Sequence, residues 1–185
     1  MEAKKKLNLG CGTYIRAGWI NLDSVSLPGV DVIHNIEKLP LPFPDNACDE
    51  ILCHDILEHA SEYIPLLADL HRILKTGGTL EIRVPHFTSK TNFIDPTHRR
   101  MFSVNTFDFF IKNSRLKIKR GYIVDTIFTS IKSRRITFEH SSRLLFYNRI
   151  IAQIVNRSPR MQELYESTCL SRIFPAYNIE ITLVK

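Results

Sequence analysis

Five short apolar runs fill the first 85 residues, each closed by a turn, and one helix-length amphipathic segment precedes the last of them. That order restricts the chain to an α/β layer fold, because strand, helix and strand in succession favour a parallel sheet with crossover connections. The runs are residues 5–9, 19–22, 30–33, 49–53 and 79–84. Residues 61–74 carry Ile64, Leu67, Leu70, Ile73 and Leu74 at helical spacing, and Gly77-Gly78 is expected to stop that helix. Pro40, Pro42 and Pro44 exclude regular structure between the third and fourth runs, since each removes a donor and fixes φ. Only six residues separate Gly12 from Trp19, so the first crossover has room for a turn and not for a helix. In the second half, residues 102–112 read as helical, 116–128 as strand, 141–156 as helical and 177–184 as a closing strand.

The chemistry begins at Gly10-Cys11-Gly12, directly after the first strand. Glycines there let the backbone approach a ligand and adopt φ values closed to other residues. The second run is followed by Asp23, an acid placed to accept hydrogen bonds from ribose hydroxyls. A dinucleotide site would carry a third glycine and an acid about 20 residues on. Here the interval from Gly12 is 11 residues and the third glycine is missing, which argues against a nicotinamide enzyme. No GKT or GKS follows, so a triphosphate loop is not supported either. A nucleoside without pyrophosphate fits better. Asn35-Ile36 after the third strand could read an adenine edge and ring, and residues 53–59 follow the fourth strand, where open α/β sheets bind ligands.

Five ordered motifs, Leu7-Asn8-Leu9-Gly10-Cys11-Gly12, Gly18-Trp19-Ile20-Asn21-Leu22-Asp23, Leu39-Pro40-Leu41-Pro42-Phe43, Asp55-Ile56-Leu57-Glu58-His59 and Leu74-Lys75-Thr76-Gly77-Gly78, resemble class I methyltransferases of the type 11 superfamily, in particular compact members with a GW-x-N-x-D second strand. The resemblance covers about the first half of the chain. It implies a Rossmann-like, mostly parallel seven-stranded sheet with a reversed last strand, and S-adenosylmethionine as methyl donor. By the same resemblance Gly10, Cys11 and Gly12 line the methionine tail, Asp23 holds the ribose, and Asn35 and Ile36 meet the adenine. Asp55 and Leu57 flank the sulfonium side, and Leu9 and His54 complete the expected cofactor-binding set. The family usually has an acid where Asn35 stands, and the absent third glycine alters the loop over the tail. Residues 95–102 and 174–183 resemble, more loosely, segments of relatives that modify glycans and natural products.

For the reaction itself, a hydroxyl acceptor calls for a base that works near neutral pH, and His98, with Asp95 three residues before it, and His86 are the candidates. Cys48, Cys53, His54 and His59 lack the paired spacing of a zinc turn, so no metal is expected. Residues 1–85 hold 8 Lys/Arg against 12 Asp/Glu, whereas residues 86–185 hold 17 against 7. The cationic second half points to an anionic small-molecule or glycan acceptor, with Arg99, Arg100, Arg134 and Arg135 as candidate grips. RNA methylation is the alternative suggested by the basic balance, although no RNP-type aromatic motif is present; a noncatalytic cofactor-binding partner protein is another. The basic amphipathic stretch 141–156 could touch a membrane surface peripherally. At 185 residues, with 44% hydrophobic and 24% charged, the chain is expected to be a single domain (1–185), with a cofactor half at 1–85 and a substrate half at 86–185. No apolar run reaches the roughly 20 residues that span a bilayer, and no leader pattern follows the N-terminal lysines. Four cysteines without dense spacing read as reduced thiols of a cytoplasmic protein.

Overall fold

The structure is a computed structural model that describes residues 4–120, 124–125, 128–142 and 145–185. Its centre is a seven-stranded sheet in the order β3-β2-β1-β4-β5-β7-β6. The strands are β1 (Lys6–Leu9), β2 (Ile20–Asp23), β3 (Val32–Ile33), β4 (Cys48–His54), β5 (Leu74–Pro85), β6 (Ser130–Ile136) and β7 (Asn178–Val184). The first five are parallel, and β7 runs antiparallel between β5 and β6. The expected mostly parallel sheet with a reversed last strand is therefore present, and it draws strands from both halves of the chain.

Local chemistry explains the connections. No helix joins β1 to β2; buried side-chain amides hold the turn instead. Asn8 Nδ2 donates to Asn21 Oδ1 at 3.0 Å and to the Tyr14 carbonyl at 2.9 Å. Asn21 Oδ1 also accepts from the Arg16 amide at 2.9 Å, and Asp31 Oδ2 accepts from the Asn21 amide at 2.7 Å. The one long crossover helix of the first half, α1 (Tyr63–Ile73), buries Leu66, Leu67, Leu70 and Ile73. It ends earlier than its glycines suggest: Leu74 is extended at ψ 140° and already pairs with Cys48. Gly77, at φ +77°, lies inside β5. The proline run is pinned from the helix, where Asp69 Oδ2 accepts from the Leu41 amide at 2.7 Å and Arg72 donates to the Phe43 carbonyl at 2.8 Å.

The second half departs further from expectation. Residues 102–112 contain a single 3-10 turn, Thr106–Phe110, whose Phe107 and Phe110 enter the main core. Of residues 116–128, read as strand, 116–120 lie in α3 (Arg115–Arg120), which follows the short α2 (Thr91–Ile94), while 121–123 and 126–127 lie outside the described residues. The edge strand β6 comes only at Ser130, beyond the expected segment. The helix expected over 141–156 is shorter, α4 (Tyr147–Val155), and Arg143 and Leu144 lie outside the described residues. It is followed by α5 (Pro159–Ser167), with Ser158 Oγ accepting from the Met161 amide as cap, and α6 (Leu170–Ile173). These elements bury a second, smaller cluster of Val104, Ile136, Phe138, Val155 and Tyr165. Among the described residues no helix is long and apolar enough to cross a membrane.

Candidate active site

At the carboxyl end of β1 the backbone turns through Gly10 (φ +63°) and Gly12 (φ +49°). A Cβ on Gly10 would lie 1.9 Å from Ile56 Cδ1, so glycine is what allows Ile56 to pack there. At Gly12 the same position faces open space. The Gly12 amide donates to Asp23 Oδ2 at 2.8 Å, and the Val25 amide donates to Asp23 Oδ1 at 3.0 Å. The acid at the tip of β2 thus braces the turn and keeps acceptor capacity, since a carboxylate offers about four lone-pair positions.

A cavity of about 600 Å³ opens over this turn, lined by Asn8, Gly10, Cys11, Gly12, Tyr14, Arg16, His54, Asp55 and Arg83. That size lies within the range of small-molecule sites. Its floor carries a strained acid. Asp55 sits at φ +56°, a conformation few non-glycine residues adopt, held by its amide donating to the Arg83 carbonyl at 2.9 Å. The Arg83 guanidinium grips both oxygens of Asp55, with Nε at 3.0 and 3.1 Å and Nη2 against Oδ2. That bond, above all, holds the guanidinium pKa above its ordinary value. His54 Nε2 is 3.0 Å from Glu81 Oε1; burial first, and the Arg83 charge second, push its pKa below the ordinary histidine value.

A second cavity of about 510 Å³ shares Tyr14, Asp55 and Arg83 with the first and adds Glu58, His59, Thr91, Asp95, His98 and Tyr177. Its far wall is remote in sequence and is clamped on. The Arg99 amide donates to the Glu58 carbonyl at 2.8 Å. Arg100 Nη2 donates to the carbonyls of Ala60 and Ser61 at 2.6 and 2.7 Å, and its guanidinium lies 4.6 Å from the centre of the Tyr63 ring. These bonds set His98 beside His59, with ring centres 4.7 Å apart. Glu58 is fully buried, and no other described residue hydrogen-bonds its carboxylate oxygens. Burial pushes its pKa up to about 8.

Of the residues singled out in the sequence, Gly10, Cys11, Gly12, His54 and Asp55 line the first cavity, and Asp95 and His98 line the second. Leu9 and Leu57 have core side chains, 1% and 0% exposed. Asn35 and Ile36 line neither cavity. Residues 34–38 close into a turn, with the Lys38 amide on the Asn35 carbonyl at 2.9 Å, which leaves Asn35 exposed while Ile36 packs on the core. His86 is fully buried and away from both cavities. Its Nδ1 accepts from the Thr88 amide at 3.1 Å, so its Nε2 donates to Glu166 Oε1 at 3.0 Å. Glu166 also accepts from Ser103 Oγ at 2.6 Å and from the Val104 amide at 2.7 Å. This network makes His86 a structural tie and not a base open to substrate. Two of the four candidate anion grips are spent as well: Arg100 on the carbonyls above, and Arg134 on Asp108 and Asn105. Sequence reasoning missed Tyr14, Arg83 and Tyr177, and passed over Glu58 although it stands inside the Asp55–His59 motif.

Residues 17–82 match the family model described as a methyltransferase domain, Methyltransf_11. A demethylmenaquinone methyltransferase of Listeria welshimeri is 32% identical over 66 residues, 36% of this chain and 28% of the relative, so the chain spans just over a quarter of that protein's length. Among solved structures, an Archaeoglobus fulgidus SAM-dependent methyltransferase superposes with TM-score 0.58 at 18% identity, covering 100% of this chain and 87% of its own. A Thermotoga maritima SAM-dependent methyltransferase, described as a possible histamine N-methyltransferase, gives TM-score 0.58 at 19% identity, covering 100% and 84%. The chain thus carries the fold of SAM-dependent methyltransferases, and its residues 17–82 match the methyltransferase-domain model Methyltransf_11.

Proposed function

We propose that this chain is an S-adenosylmethionine-dependent methyltransferase that holds the methyl donor over the Gly10–Gly12 turn and an oxygen or nitrogen acceptor in the adjoining cavity. One observation carries the reading: the two cavities meet at Tyr14, Asp55 and Arg83. Methyl transfer is an in-line displacement, so donor and acceptor chambers must open onto one another. The residues fit the donor, with open backbone at Gly12, a braced acid at Asp23 and sufficient volume. When bound, S-adenosylmethionine supplies an already activated methyl group. The protein's share is placement: Gly10, Cys11 and Gly12 bed the amino-acid tail, Asp23 accepts from ribose hydroxyls, and His54 and Asp55 border the reacting side.

On the acceptor side, His98 with Asp95 is the proton-accepting pair. Burial and the neighbouring His59 keep the His98 pKa below the ordinary histidine value, so its ring is neutral at pH 7. The second-half residues of this lining include no lysine or arginine. An anionic portion of the acceptor would therefore extend beyond the cavity toward the cationic surface, leaving the methylated atom inside. Calorimetric titration with S-adenosylhomocysteine tests the donor site. Binding below millimolar is expected, weakened about tenfold to a hundredfold in Asp23→Ala, the value of one or two bonds to a charged group. Absence of binding in the parent protein would overturn the proposal.

A further inference from the structure

We propose that Glu58, His59 and His98 form a binding site for a divalent transition-metal ion of the zinc class in the wall of the second cavity. Each offers one ligand atom, and these atoms lie within 4.8 Å of one another. The strongest sign is the state of the polar atoms. Among the described residues, no other residue hydrogen-bonds either carboxylate oxygen of the fully buried Glu58, and His98 Nδ1 is also buried without a partner. Buried polar atoms in folded proteins are nearly always satisfied, and here the unpartnered ones belong to two of the three residues of one cluster.

The surrounding bonds prepare the imidazoles as ligands. The Thr97 hydroxyl donates to Asp95 Oδ1 at 2.6 Å, so its oxygen accepts from His59 Nδ1 at 2.8 Å. That fixes the tautomer: His59 Nε2 keeps its lone pair for a metal. Asp95 Oδ2 lies 3.7 Å from His98 Nε2, on the opposite edge of the ring from the orphan Nδ1. One carboxylate, Asp95, thus stands behind both histidines, hydrogen-bonded to His59 through the Thr97 hydroxyl and near His98 without a direct bond; such outer-shell carboxylates commonly accompany metal-bound imidazoles. Two imidazoles and one carboxylate suit zinc, cobalt or iron; magnesium and calcium prefer all-oxygen shells. Three protein ligands leave further positions open toward the cavity. An ion on Nδ1 turns His98 from proton acceptor into ligand, so the two roles belong to two forms of the protein. This departs from the metal-free expectation drawn from cysteine spacing. The site uses none of the four cysteines; three are buried elsewhere, and Cys169 is exposed on the far segment.

The site does not depend on the methyl-donor reading, and its test uses no methyl donor. The full chain, stripped with chelator, is titrated with Zn²⁺ and with Co²⁺, followed by metal analysis after gel filtration. One retained equivalent is expected, with a Co²⁺ spectrum showing visible bands and no thiolate charge-transfer band. Affinity should fall at least tenfold in Glu58→Gln and in His98→Gln, and stay unchanged in Cys169→Ser. Circular dichroism checks each variant's fold, and the parent Co²⁺ spectrum decides the matter if Glu58→Gln does not fold. No retained metal, a thiolate band, or parent-like binding by both ligand variants would overturn the site. S-adenosylhomocysteine binding, measured separately, would be untouched by that outcome.

Discussion

Glu58 and Glu166 are both buried glutamates, and they are treated in opposite ways. Glu166 accepts from His86, Ser103 and Val104, joining α5 to the end of β5 and to the segment before the 3-10 turn. Burial alone would raise its pKa, but the bonds from His86, Ser103 and Val104 outweigh it and hold the carboxyl below its ordinary value. Glu58, at the wall of the second cavity, has no such partners, and burial drives it the other way. A satisfied buried carboxylate builds structure. An unsatisfied one costs stability, and it persists where the surrounding packing holds it for another use.

Removing each acid should break or sharpen this contrast. Glu166→Ala leaves the buried donors of His86, Ser103 and Val104 without their acceptor, and a loss of about 2–4 kcal/mol in urea denaturation is expected; a loss under about 1 kcal/mol would erase the difference between the two acids. Glu58 should show itself in pH dependence. Its folded pKa, about 8, lies above the ordinary 4.5. Stability from this group is therefore complete below pH 4.5 and declines as pH rises toward 8. Between pH 6.5 and 8, above the ordinary histidine range, the decline should reach about 2 kcal/mol in metal-free protein. Glu58→Gln should flatten it; an unchanged slope would mean that Glu58 is solvated. The smallest effect belongs to Thr97→Val. Thr97 is exposed, so stability should move by less than about 0.5 kcal/mol. Zn²⁺ affinity should nonetheless fall about tenfold, because His59 loses the bond that orients it.

What could be read from the chain follows the range of the interactions involved. The Gly10–Gly12 turn and Asp23 are legible because one strand end and its neighbour encode them, and the bond between them spans only 11 residues. The turn with too little room for a helix was equally visible in the six-residue gap. The second cavity was not, because Glu58 and His98 meet only through the Arg99 and Arg100 clamp, 40 residues away. Residues 116–128 misled for a different reason. Leu116, Ile118 and later apolar residues alternate like a strand, yet Arg115–Arg120 is helical. The strand that does form, Ser130–Ile136, reads as polar because Lys132, Ser133 and Arg135 are exposed. His86 shows that a histidine after a strand's end does not by itself reveal whether a buried carboxylate already waits for it.

The two outermost strands also bear on how copies of this protein meet. At one rim β3 offers only Val32–Ile33, too short to seed an added strand; at the other, β6 presents Lys132 and Arg135 to any approaching chain. Repulsion on one side and brevity on the other deny a second molecule the backbone ladder it would need to continue the sheet. Both rims are therefore poor templates for edge-to-edge growth of the sheet.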